Sequence, residues 1–144
     1  MLEKVLLTLR KDNAVTFAPA DDKSIRFAMS MLSSHKFASI PTGVIEFLKM
    51  TDGLIWNGME LYGSRAVERE DLGYSFPGLL EANLNFLNSE YLHGKLILGK
   101  ASEEMFIYFG NEHKFLVIDR INFEVNAVYT TFAEMIYDYV DEIY

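Results

Sequence analysis

The chain has 144 residues, the length of one domain at the usual ~100–200 residues each, and long enough to bury a core without disulfide or metal staples. Half of it is hydrophobic, with eleven Phe and eight Tyr, which excludes a disordered chain, and it has no cysteine, which excludes disulfides and thiolate metal sites. The formal charge, 13 − 21 = −8, argues against nucleic acid as a direct ligand, because neutralising phosphates takes clustered Lys and Arg; it favours fast association with basic partners instead.

Leu2, Val5, Leu6 and Leu9 repeat at helical spacing, so an amphipathic helix is expected from residue 1 to about 11, ended by Asp12-Asn13. This opening segment carries Glu3 and Lys4 and has no small-residue cleavage site, so it does not read as a secretory signal. A loop through Phe17, Ala18 and Pro19 leads to Asp21-Asp22, either of which can cap a second helix bearing Ile25, Ala28, Met29 and Leu32 on one face. That helix should fade at Ser33-Ser34, before a polar break at His35-Lys36.

The densest signal lies between Ile40 and Ser64. Pro41 suits the first turn of a helix, Val44, Phe47 and Leu48 give it an apolar face, and Gly53 suits its stop. Leu54-Ile55-Trp56 and Met59-Glu60-Leu61 then flank Asn57-Gly58, the strongest short signal for a hairpin, because both central residues of a type I′ turn need positive φ.

From Arg65 to Gly73 the charge is mixed and the period weak, which reads as a loop with one short extended or helical piece. Ser75 can cap a helix starting near Pro77, carrying Leu79, Leu80, Leu84 and Leu87 and ending near Asn88-Ser89. Leu96-Ile97-Leu98 reads as a strand covered on both faces; Glu104 to Phe109, Phe115 to Ile118 and Val125 to Tyr129 follow as a meander joined by polar turns. The last helix, capped by Thr130 or Thr131, carries Phe132, Met135, Ile136, Tyr139, Val140 and Ile143 on one stripe, with Glu134, Asp138, Asp141 and Glu142 mainly off it. The expected fold is α+β: a mostly antiparallel β-sheet with N-terminal helices, one inserted helix and a C-terminal helix packed on it, in a single domain over residues 1–144. No apolar run approaches the ~20 residues that span a bilayer, so a soluble, cytoplasmic protein is expected.

Ile40-Pro41, Phe47-Leu48-Lys49, Asp52-Gly53, Asn57-Gly58 and Leu61-Tyr62-Gly63, followed by Leu96-Ile97-Leu98-Gly99 and Thr131-Phe132, resemble the core motifs of the SUKH superfamily, close to its YrhA-like branch. Ile40 stands for the usual Leu, Val44 for a frequent Tyr and Asp52 for Asn, each keeping its physical role. The resemblance spans roughly residues 20 to 144, and its motifs are structural. It implies a non-enzymatic binding domain. Bacterial members are mostly immunity proteins that bind and block a cognate secreted toxin, often a nuclease, whereas fungal members act as regulators of cell-wall assembly.

The residues themselves offer no catalytic set. His35, His93 and His113 are scattered, and none has a second ligand at i+3 or i+4, so no metal site is expected. No serine sits in a Gly-x-Ser-x-Gly elbow, and neighbouring carboxylates on one loop cannot face each other across a cleft as glycosidases require. The glycines form neither a dinucleotide fingerprint nor a Walker loop, so no cofactor is expected. Surfaces remain. Trp56 is the only tryptophan, either an interface anchor or a core residue, and the acidic residues off the apolar stripes can pair with a cationic partner or simply be solvated. The residues expected to bind a protein partner, a toxin domain with a basic surface, are Trp56, Glu60, Glu68, Glu70, Asp71, Glu103 and Glu104, with no catalytic, cofactor or metal residue among them and no direct contact to nucleic acid or membrane.

Overall fold

The computed structural model describes residues 1–69 and 73–143. Helix α1 (Leu2–Lys11) buries Leu2, Val5, Leu6 and Leu9, the stripe that their spacing marks. Strand β1 (Val15–Thr16) follows, then α2 (Asp22–Ser34), whose cap is Asp21: its carboxylate accepts the Ser24 N–H at 2.7 Å. Next come α3 (Thr42–Leu48), β2 (Leu54–Trp56) and β3 (Met59–Leu61). A small hairpin, β4 (Val67–Arg69) and β5 (Tyr74–Phe76), leads into α4 (Leu79–Leu84). The chain then runs through β6 (Lys95–Lys100), β7 (Glu104–Phe109), β8 (Lys114–Asp119), β9 (Val125–Tyr129) and α5 (Phe132–Ile143).

The fold is α+β. Seven strands form one sheet in the order β1-β2-β3-β6-β7-β8-β9, and β4 with β5 forms a second, two-stranded sheet; every ladder between described strands is antiparallel. The central strands β6, β7 and β8 are buried at four successive positions each, so both faces are covered. On one face Phe106, Val117 and Ala127 stand in register, as do Tyr108, Phe115 and Tyr129. Helix α5 closes this face: Tyr139 meets Phe106 edge-on at 5.2 Å between ring centres, and Phe132 bridges Phe115 and Phe47 of α3. The opposite face carries Ile97, Ile107 and Leu116 in register. Over it lie Tyr91 stacked on Phe123 and the Lys95 ammonium held over the Tyr91 and Phe109 rings.

Two polar devices complete the sheet. Where β3 stops pairing with β6, the buried amide of Asn83 takes the place of a strand: its Oδ1 accepts the Ile97 N–H at 2.8 Å and its Nδ2 donates to the Ile97 carbonyl at 3.0 Å. The second device is a junction under the hairpin. Asp52 is buried, and its carboxylate accepts both the Ser64 N–H at 2.6 Å and the Ser64 hydroxyl at 3.0 Å. Between them Gly63 lies so close that a Cβ there would stand 2.3 Å from the Asp52 carbonyl oxygen. The Gly63 carbonyl accepts the Leu79 N–H at 2.9 Å, and Gly63 bridges to Gly78, so α3, the hairpin and α4 meet at one point.

Several local expectations need correcting. Val15–Thr16 is a strand within the stretch expected to be a loop, because it pairs with β2 through Val15–Ile55 and Thr16–Leu54. Pro41 is the N-cap of α3 and not a first-turn residue, and α3 ends at Leu48 with Lys49 as its cap, well before Gly53. In the stretch after Arg65 the short piece is extended, Val67–Arg69, and it pairs with β5; residues 70–72 lie outside the described residues. Ser75 lies within β5; the α4 cap is Gly78, whose N–H donates to the Glu81 carboxylate at 3.0 Å. Helix α4 ends at Leu84 and buries Leu79, Ala82 and Asn83, because it sits on the sheet edge by way of that amide; Leu87 is exposed. On α5, Ile143 is exposed while the rest of the stripe faces inward. No helix among the described residues is long and apolar enough to cross a membrane.

The two hairpin glycines make a discriminating test. Asn57 has φ +48° and Gly58 φ +82°, the turn their sequence predicts, and a Cβ at Gly58 meets nothing within 4 Å. Gly58→Ala should therefore cost only the ~1–2 kcal/mol of a left-handed non-glycine residue. Gly63→Ala must push the Asp52 backbone aside and should cost about 3 kcal/mol, the upper end for overpacking. Urea unfolding of both variants checks the ranking.

Candidate functional site

The expected partner-binding residues do not share one place. Trp56 is buried, and its Nε1–H donates to Asp12 Oδ2 at 2.9 Å, so the indole sits in the core and ties the hairpin to the end of α1. Glu68 is exposed on β4, in the small second sheet, while Glu70 and Asp71 lie outside the described residues. Glu60, Glu103 and Glu104, by contrast, lie at the same end of the large sheet, where β6 stops and β7 starts, with Glu60 and Glu104 on opposite faces.

The register explains that grouping. Glu60 stands opposite Lys100, and the two are ion-paired at 3.4 Å. Glu103 lies exposed in the β6–β7 turn, and its carbonyl accepts the Arg120 N–H at 3.0 Å. Glu104 stands opposite Asp119 and accepts the Asn126 side-chain amide at 2.8 Å. Arg120 stitches the two turns together by donating to the carbonyls of Ala101 and Ser102 at 3.2 and 3.1 Å. Asp119 is held below the usual carboxylate range by the backbone N–H groups of Asn122 and Ile121. The two cations of this end are thus partly engaged, Lys100 by Glu60 and Arg120 by backbone carbonyls.

Helix α5 adds Asp138 and Glu142, from the acidic face that the sequence marks but that the expected binding residues leave out. The Tyr129 hydroxyl donates to Asp138, and Tyr139 packs on Phe106. Burial pushes the Tyr129 phenol up, followed by the hydrogen bond and charge of Asp138 and the charges of Glu142 and Glu104. Tyr139 is raised by burial first and then by Glu104 and Glu142. Glu104 and Glu142 therefore act on both phenols and Asp138 on Tyr129, so the three form one acidic patch spanning the sheet and α5. The last turn of α5 has no basic residue. Carboxylates near a helix C-terminus oppose the macrodipole by ~0.3–1 kcal/mol each. That misplacement, together with the i, i+4 spacing of Asp138 and Glu142, is the sequence signal that could have singled the patch out.

Chemically, the patch is a set of hydrogen-bond acceptors and negative charges beside phenols that stay protonated at neutral pH. It suits Lys or Arg side chains. The histidines do not converge: His113 Nδ1 lies 3.1 Å from the Tyr108 hydroxyl, and among the described residues no three His, Asp or Glu side chains come together as a metal site.

Tyr62, at the head of this end of the sheet, supplies a pH test. Its phenol is pushed up to about 12, by burial first and by the Glu60 charge next, with Arg120 acting in the opposite sense. The phenolate is the charged form, so a raised value in the folded state contributes stability that is intact below the unfolded value near 10 and lost as pH rises through about 12. At about 1.4 kcal/mol per unit, wild type should lose up to about 3 kcal/mol more than Tyr62→Phe across that window. Urea unfolding of both proteins between pH 9 and pH 12 measures the difference. No protein-family model matches this chain, and no curated protein matches it.

Proposed function

We propose that this chain is a non-enzymatic binding domain that captures one basic protein partner, and that it serves as an immunity protein neutralising a cognate secreted toxin. The observation that carries the reading is the patch of Glu104, Asp138 and Glu142 gathered around Tyr129 and Tyr139. A net charge of −8 adds long-range attraction for a basic surface. A nuclease toxin must be basic to hold its substrate, so an acidic surface is the complement that occupies its cleft. The SUKH resemblance in the Ile40–Gly63 segment, together with the α+β fold it implies, supports the immunity role over other kinds of capture.

The test is co-purification of the tagged chain with the product of the adjacent gene at low and at high salt. Capture that weakens with salt, and that falls about tenfold or more in a Glu104→Lys/Glu142→Lys variant, is the expected result. Salt-insensitive capture would keep a protein partner but move the interface off the acidic patch. Absence of capture would sink the toxin reading in favour of a regulatory module of the same fold.

A further inference from the structure

Strand β9 is an edge strand, with β8 on one side and, among the described residues, no strand on the other. The opposite edge of the sheet is β1, only two residues long. Native edges are usually blunted by lysine, proline or extreme shortness. β9 has five residues, Val-Asn-Ala-Val-Tyr, with no charge and no proline; its one irregularity is the bulge where the register shifts between Val117 and Ile118. Its outer face shows Val125 and Val128 about half exposed, next to Ile121 at 93%. On its other face Tyr129 leans on Asp138, and Asn126 holds Glu104. The edge is thus apolar on one face and acidic on the other.

Two occupants could complete such an edge. A second copy pairing through β9 would bring its own α5 to the same face, setting Asp138 and Glu142 of one copy beside those of the other, and like charges at close quarters are disfavoured. A basic strand meets no such conflict. We propose that the partner docks by adding an extended strand to β9, with apolar side chains over Val125 and Val128 and alternating Lys or Arg side chains over the α5 carboxylates. The alternation follows from the two-residue period of a strand, which sends successive side chains to opposite faces. Backbone pairing supplies affinity, and the two faces supply specificity. This rests on the reading of the chain as a binder of a basic protein and assigns the surface that does the work.

The test uses the full chain and an acetylated, amidated peptide alternating lysine and valine. Amide hydrogen exchange across residues 125–129 should slow about tenfold at saturating peptide, since the open edge becomes an interior ladder. A peptide with the same side chains but N-methylated amides should bind at least about tenfold more weakly, as should the lysine–valine peptide against Val128→Lys, with folding of that variant checked by its melting temperature. Equal binding by the N-methylated peptide would overturn strand addition while leaving acidic capture intact. Equal binding by a peptide alternating glutamate and valine would overturn the charge pattern. A peptide-free dimer whose formation protects residues 125–129 would overturn the assignment in favour of a second copy. Failure to capture the adjacent gene product while the lysine–valine peptide still protects β9 would count against the toxin reading alone and leave the docking edge standing.

Discussion

A single close approach organises the first half of the molecule. The Asp52 carboxylate, buried and bonded twice to Ser64, fixes the chain leaving α3 against the chain leaving the hairpin, and Gly63 has no side chain because none would fit. From that point Gly63 reaches α4 through the Leu79 N–H and its bridge to Gly78. Leaving a buried carboxylate without such donors is costly, so the interaction is strongly directional. Around it the loop before α2 is laced to the end of α3: Ala20 N–H donates to the Leu48 carbonyl, and Phe17 N–H to the Thr51 hydroxyl. The placement of β2 and β3 in the sheet follows from these bonds.

The second half obeys a different constraint. Three central strands buried on both faces leave no room for solvent, so every backbone group along them needs a protein partner. Neighbouring strands satisfy most of them. At Ile97, where β3 has turned away, a side-chain amide from α4 does the same job with the geometry of a strand. Helix α4 is short because this contact, more than an apolar stripe, determines where it sits.

Electrostatics at the far end of the sheet is a competition between turn-binding cations and an acidic helix. Arg120 is committed to turn carbonyls and Lys100 to Glu60, so neither offsets Glu104, Asp138 and Glu142 directly. Those acids sit on phenols whose ionisation they suppress and at a helix end whose dipole they oppose. Such an arrangement gains free energy when a cation arrives. It also lies beside β9, the longer of the two edges of the large sheet among the described residues, and the proposed docking joins that charge to that backbone.

The sequence by itself determined the elements whose cause is local. Apolar period gives α1, α2 and α5; Asn57-Gly58 gives the hairpin turn; continuous apolar runs give the doubly covered strands. Asp21 and Thr131 cap their helices through side chains within three residues, so those starts were legible too. What only the tertiary structure decided depends on partners far along the chain. Val15–Thr16 becomes a strand because β2 lies beside it, and α4 turns on Asn83 because Ile97 needs a partner. Trp56 turns inward because Asp12 can accept its indole N–H. Of the candidate site, Glu60, Glu103 and Glu104 were legible as acids, but the union of Glu104 with Asp138 and Glu142 was not. The distance between charges on a strand and on a helix is set by packing, through Tyr139 on Phe106, and no sequence spacing encodes it.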